Sequence, residues 1–224
     1  NEFDPEFIDN FELSLRSEWL DRALVLNANA YYGIWEDQQL AVPIENNPSI
    51  TFTENAGEST IWGFEVEADY AATDRTQLFA GVGYAQTEFE EFCSINSTAQ
   101  GLPDCTLNGV SGKDLSGNDF AVSPAWTASA GGQHFLTDRW YGQANVTYQS
   151  GSFSDVENVR RLKTDGFALA NASLGYEGEG FDVRLYVRNV FDTSYQLRLT
   201  DFQNGVGVLT GSPREYGVIV SAEF

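Results

Sequence analysis

With 224 residues, 33 acidic side chains against 12 basic ones and a formal net charge of -21, the chain carries no basic stripe that would neutralise phosphate. Composition therefore argues against a nucleic-acid partner. No stretch nears the ~18 consecutive apolar residues of a membrane helix. That leaves open a membrane crossed by strands, because only every second residue of such a strand meets lipid.

The first residues, Asn1 to Asp9, are acidic and broken by Pro5, without the charged and apolar blocks of a secretory leader. From there the chain alternates. Phe11, Leu13 and Leu15 oppose Glu12, Ser14 and Arg16; Leu24, Leu26, Ala28, Ala30, Tyr32 and Ile34 oppose Asn27, Asn29, Tyr31 and Gly33. Trp62, Phe64, Val66, Ala68 and Tyr70 then oppose Glu65, Glu67 and Asp69, and Leu78, Ala80, Val82 and Tyr84 oppose Gln77, Gly81 and Gly83. Similar runs begin at Trp126, Ala144, Ala170 and Phe181. In the last run Tyr216, Val218, Val220, Ala222 and Phe224 share one face, and only Ile219 breaks the polar one. A period of two predicts about nine strands, each with one apolar and one wet face.

Connections alternate as well. Short turns are predicted at Leu20-Asp21-Arg22, Thr73-Asp74-Arg75, Thr137-Asp138-Arg139 and Glu177-Gly178-Glu179-Gly180. Long polar loops are expected over residues 36–59, 89–119, 153–165 and 200–211. Short connections on one side and long ones on the other are the plan of a transmembrane antiparallel up-and-down β-barrel with periplasmic turns and extracellular loops. Trp19, Trp140, Tyr176 and Phe224 near the short turns, with Trp35 and Trp62 near the long loops, suggest two aromatic girdles at the headgroup levels. Polar residues on the other face would be ruinous in a dry core and are ordinary in a wet lumen. An odd number of up-and-down strands does not close antiparallel. With the missing leader, this predicts that residues 1–224 are the carboxyl-terminal part of a larger barrel.

Several local patterns now point one way. Asn189-Val190-Phe191-Asp192-Thr193-Ser194-Tyr195 resembles the Asn-Leu-Phe-Asp-x-x-Tyr signature late in the TonB-dependent outer-membrane receptors. Ser212-Pro213-Arg214, leading into an alternating strand that ends on Phe224, resembles their last strand. Pro5-Glu6 with Asn10 to Leu15, and Trp62 to Glu67, resemble their Pro-Glu, Asn-Tyr-Glu-x-Gly and Gly-x-Glu-x-Glu segments. The resemblance implies a plugged barrel of about 22 strands, of which this chain supplies about the last nine. It also implies outer-membrane localisation in a Gram-negative bacterium and TonB-coupled import of a scarce nutrient, most often a ferric siderophore. The plug and the TonB-contacting box belong to the amino-terminal part of such receptors and match no position here. The expected partners are outer-membrane lipid and lipopolysaccharide, the earlier strands and plug, TonB and a small ligand.

Candidate sites are few, and no catalytic constellation is found. His134, the one histidine, lacks the partners of a general base, a triad or a zinc site and reads as interfacial. No metal or cofactor site is indicated; Cys93 and Cys105, the only cysteines, lack a second cysteine pair or a nearby His. A loop-closing disulfide between them is expected. Glu65, Glu67 and Asp69 form a carboxylate row expected to line the lumen, with Arg184 and Arg188 as barrel-side counter-charges. Arg160, Arg161 and Lys163 form the one basic cluster, in a long-loop segment, and read as contacts for an anionic ligand, a solvated loop or a bridge to lipopolysaccharide phosphate, with Phe153, Phe167 and Phe202 as candidate aromatic contacts. Two other functions fit a barrel: a passive porin-like channel, and a surface anchor or adhesin. The 189–195 signature speaks against the first and the absence of an attached domain against the second. Among imported ligands, haem, cobalamin and oligosaccharide are alternatives to a siderophore.

Overall fold

The computed structural model describes residues 3–44, 47–97, 99–202 and 205–222. Along the chain run β1 (Phe7–Trp19), β2 (Leu24–Ile44), β3 (Asn47–Thr73) and β4 (Thr76–Glu91). Three short strands follow: β5 (Cys93–Ser94), β6 (Asp104–Leu107) and β7 (Val110–Asp114). Then come β8 (Trp126–Phe135), β9 (Trp140–Gln149), β10 (Phe167–Glu177), β11 (Phe181–Arg188), β12 (Gln196–Phe202), β13 (Gly205–Thr210) and β14 (Glu215–Ala222). Nine of these form one antiparallel sheet in the order β1-β2-β3-β4-β8-β9-β10-β11-β14. Its edge strands, β1 and β14, run in the same direction and are not paired, so the sheet is an open wall rather than a closed barrel.

Register carries the sequence alternation across the whole sheet. Val66 stands opposite Ala28 and Val82, and Leu185 opposite Leu174 and Val218. On the other face Glu65 stands opposite Asn29 and Gly83. The apolar face is bare: Leu13 is 78% exposed, Val220 66% and Leu15 62%. An apolar surface of that extent is incompatible with water and is what a lipid-facing wall requires. Ile219, the exception in the last strand, sits on the polar face opposite Arg184.

Two aromatic belts bound the apolar band. At the long-connection level Tyr84 packs between Trp62 and Trp126, with ring centroids 5.3 and 4.7 Å away, and Phe64 joins them at 5.9 Å from Tyr84. At the short-turn level Trp140, Tyr176 and Phe181 are in series at 5.0 and 5.9 Å. Trp35 departs from the expected girdle. It has the inward parity of Tyr31 and Gly33, and packs edge-on against Phe120 of the β4–β8 connection at 6.4 Å. Phe224 lies outside the described residues.

The long connections are not the open polar loops that composition suggested. Segment 36–59 continues the β2–β3 ladder, with Gln38 through Pro43 paired to Ala56 through Thr51. Segment 89–119 holds the small sheet β5-β7-β6, and 200–211 lies largely within the β12–β13 hairpin. Val42, Ala56, Phe89, Phe92, Leu115 and Val156, from three different connections, form a buried apolar cluster with Phe120 and Leu40 at its margin. These few residues are scattered among charges in sequence, so no periodicity announces them. A second core thus sits above the membrane, and Cys93 and Cys105 are bonded beside it with Cα atoms 5.9 Å apart.

Candidate functional site

The polar face of the sheet is built as a wall of hydrogen-bonded small groups. Ser14 donates to Asn29 (3.1 Å), Gln143 to Gln133 (2.6 Å) and Ser173 to Gln143 (3.2 Å). Interspersed are glycines that neighbouring aromatic rings cover. Tyr31 lies over its cross-strand partner Gly63, Phe79 over Gly131, Tyr141 over Gly175 and Tyr186 over Gly217. A Cβ at Gly175 or Gly217 would fall 2.1 or 2.3 Å from a ring carbon. The absent side chain lets a large ring lie flat on the wall instead of projecting into the lumen.

Charge is divided along this wall. Glu65 and Glu67 share a recess with Glu12, Arg16, Asn27 and Asn29. Arg184 and Arg188 line a second recess with Tyr186, Asn145 and Asn171. The carboxylates stand on β3 and the arginines on β11, with β4, β8, β9 and β10 between them, so the arginines expected to answer the carboxylate row do not meet it. Arg188 instead approaches Glu215 at 3.9 Å and stacks on the Tyr186 ring at 5.1 Å. Arg16, two strands from the row, is the cation nearest it in the recess. Sequence spacing gave each residue its face but not its neighbour across several strands. His134 is exposed near a short turn, with Nδ1 2.9 Å from the Thr76 hydroxyl, as an interfacial histidine should be.

The 189–195 motif is a corner. Asn189 is 4% exposed with φ of 49°, a left-handed conformation that asparagine tolerates better than most residues. Its side-chain amide donates to the carbonyls of Thr193 (2.9 Å) and Ser212 (3.2 Å), and its oxygen accepts the Thr193 amide (2.9 Å). Asp192 accepts the Arg214 amide at 2.9 Å, and the Arg214 guanidinium donates to the Val190 carbonyl at 3.2 Å. The Tyr195 ring packs on Phe167 at 4.4 Å and covers Gly211. Asn189, Val190, Asp192, Tyr195 and Arg214 therefore close the top of β11, seat the β12–β13 hairpin and start β14. Pro213 and Phe191 are exposed and join none of these bonds.

In the β9–β10 connection the basic cluster is partly spent. Arg161 is paired with Asp201 of β12, which raises its pKa further, and Lys163 lies 4.7 Å over the Phe153 ring. Among the described residues Arg160, in the 3-10 turn Arg160–Leu162, makes no ion pair. Sequence reasoning passed over the adjacent carboxylates. Asp155 is pushed up to about 6, chiefly by burial and then by Glu157, against the backbone amides of Val159 and Asn158 and the charge of Arg161. Glu157 is raised as well, by burial, although the Ser97 hydroxyl donates to it. Among the described residues no His, Cys, Asp and Glu cluster is arranged to hold a metal ion.

An open antiparallel wall with a lipid face, a wet face and a packed extracellular layer defines a segment of an outer-membrane barrel. A family model described as TonB dependent receptor-like, beta-barrel, matches residues 1–190, and the chain belongs to that family. This places it in the outer membrane of Gram-negative bacteria. The chain is 27% identical over 220 residues to the ferric-pyoverdine M114 receptor PbuA of Pseudomonas sp. (strain M114), covering 96% of this chain and 24% of that receptor. It thus spans about a quarter of that relative's length. Among solved structures, the ferric yersiniabactin uptake receptor FyuA from Yersinia pestis superposes with a TM-score of 0.77 at 21% identity, over 99% of this chain and 30% of that one. The ferric citrate transporter FecA in the unliganded form gives 0.72 at 22% identity, over 97% and 31%. These relatives are receptors and transporters rather than enzymes.

Proposed function

We propose that this chain is the carboxyl-terminal wall of a receptor that imports a ferric siderophore across the outer membrane with energy delivered through TonB. The observation that carries the reading is the family match over residues 1–190, supported by a siderophore-receptor relative aligned along nearly the whole chain. The wet face fits a lumen filled by an interior domain. In this reading Glu65, Glu67 and Asp69 meet basic groups of that domain, and Arg184 and Arg188 meet acidic ones, because the wall itself leaves the two charge groups apart. Arg160 is the residue of the basic cluster best placed to meet an anionic ligand, since Arg161 and Lys163 are engaged by Asp201 and Phe153.

Iron uptake decides the matter. A strain lacking the receptor, grown under iron limitation and supplied with radiolabelled ferric siderophores, pyoverdine first, should lose accumulation of one of them and regain it with the full gene. Uptake should also vanish when TonB is deleted. Uptake of small solutes that survives TonB deletion, with steady conductance of the purified receptor in planar bilayers, would establish a passive channel instead.

A further inference from the structure

We propose that Asp155, Val156 and Glu157 form a proton-operated latch that draws the extracellular loop layer together as the medium turns acidic. Val156 is the piece of the β9–β10 connection that enters the apolar cluster of Phe89, Phe92, Leu115, Val42 and Ala56. Docking it carries in the carboxylates on either side. Neighbouring bonds show how much of the layer meets there. Asn118 donates to the Val156 carbonyl (2.9 Å), Asn158 accepts the Asp119 amide (2.8 Å), and Ser154 accepts the Leu199 amide of β12 (2.9 Å).

The two carboxylates are treated differently. Glu157 receives the hydroxyl of Ser97, itself buried in the β4–β8 connection. Asp155 has one oxygen, Oδ1, fully enclosed and without a hydrogen-bond partner. The charges that face the pair are Arg161 from the same connection and Asp201 from β12, and those two are paired to each other. The β4–β8 connection contributes the uncharged Ser97 and Asn118, and Glu54 of β3 is held by Asn96. The backbone amides of Val159 and Asn158 favour the ionised form, but an ionised Asp155 keeps one oxygen enclosed and unpartnered beside a second carboxylate while its nearest cation is occupied, a costly arrangement that a proton relieves.

The sign follows from where the proton binds better. Asp155 is raised from 3.8 to about 6 in the docked layer and returns to its ordinary value when the layer opens. Its contribution to docking is complete below the ordinary value and is lost as pH rises through about 6. Docking should therefore be roughly tenfold more favourable at pH 5 than at pH 7.5, and Glu157 adds in the same direction. The latch is independent of which ligand the receptor carries.

Hydrogen exchange on the ligand-free, full-length receptor in nanodiscs tests it, with rates corrected for the intrinsic pH dependence of amide exchange. Peptides covering 94–97, 118–122 and 196–200 should open about tenfold less often at pH 5 than at pH 7.5. Peptides from β9 and β10 should not change, which shows that the barrel is intact in the same spectra. Asp155→Asn should remove most of the pH dependence, whatever level of protection it settles at, Glu157→Gln should reduce it, and the double variant should abolish it. Equal opening of the wild type at both pH values would overturn the proposal. So would a pH dependence that persists undiminished in the Asp155→Asn, Glu157→Gln double variant.

Discussion

Asn189 shows how much a single buried amide can hold. It satisfies the carbonyls of Thr193 and Ser212 and the amide of Thr193 at once, from a backbone conformation that most side chains resist. Asn189→Ala strands those groups in a buried corner, and a loss of about 2–4 kcal/mol is expected in a bilayer folding titration. Asn189→Asp keeps an acceptor for the Thr193 amide but sets a buried carboxylate against the carbonyls of Thr193 and Ser212, so it should cost at least as much. Gly63 fails for a different reason. A Cβ there would stand 2.0 Å from the Tyr84 carbonyl oxygen and 2.6 Å from the Tyr31 hydroxyl, so even Gly63→Ala must displace backbone. A cost of about 1–3 kcal/mol is expected in the same assay, and Tyr31→Ala should not rescue it, because the carbonyl remains. Both positions lay in motifs visible in sequence, Asn189 in the corner signature and Gly63 in the Gly-x-Glu-x-Glu segment. The glycine's partner became identifiable once β2 and β3 were placed in register.

Among elements, β4 and β2 together give the cleanest test of facing. Val82→Arg puts a charge on the lipid side, at a cost of about 2–4 kcal/mol near the midplane. Asn27→Arg puts the same side chain in the recess of Glu65 and Glu67 and should fold nearly as well as the wild type. Equal penalties for the two, measured by folding into vesicles, would mean that they do not face different media, and a larger penalty for Asn27→Arg would mean that the faces are reversed. The connection after β4 makes a second prediction. Cys93 and Cys105 close a loop with a sequence separation of 12, and opening it should cost that segment about 3 kcal/mol. Pulse proteolysis of the Cys93→Ser, Cys105→Ser variant should show faster cutting within 94–104 while the barrel strands stay resistant. The strands and the disulfide were legible in sequence because a period of two and a lone cysteine pair are local signals. The extracellular core was not, because Val42, Phe89, Leu115 and Val156 come together only when three connections fold onto one another. The separation of Arg184 from Glu65 was hidden for the same reason, since it depends on strand order rather than on spacing.

At the scale of the whole molecule, the open edges dominate. Within lipid each unpaired backbone group costs several kcal/mol, so β1 and β14 both require a neighbouring strand. Because they run in the same direction, they do not close on each other in an up-and-down pattern. Reconstituted by itself in vesicles, this chain should give no discrete single-channel conductance and should remain sensitive to proteinase K along β1 and β14. A closed nine-stranded pore with β1 paired to β14 would refute that expectation.

The rings lying over glycines also bear on how such a wall can assemble. Tyr141 fits Gly175, and Tyr186 fits Gly217, only at one alignment of their strands. A slip of two residues keeps every side chain on its proper face, so the apolar and polar pattern alone does not resist it. It would, however, bring Tyr141 against Ser173 or Glu177, where a side chain already stands. Each ring and its glycine thus act as an indexing tooth between adjacent strands, letting a hairpin reject an out-of-step pairing on its own, before the rest of the cylinder has gathered around it.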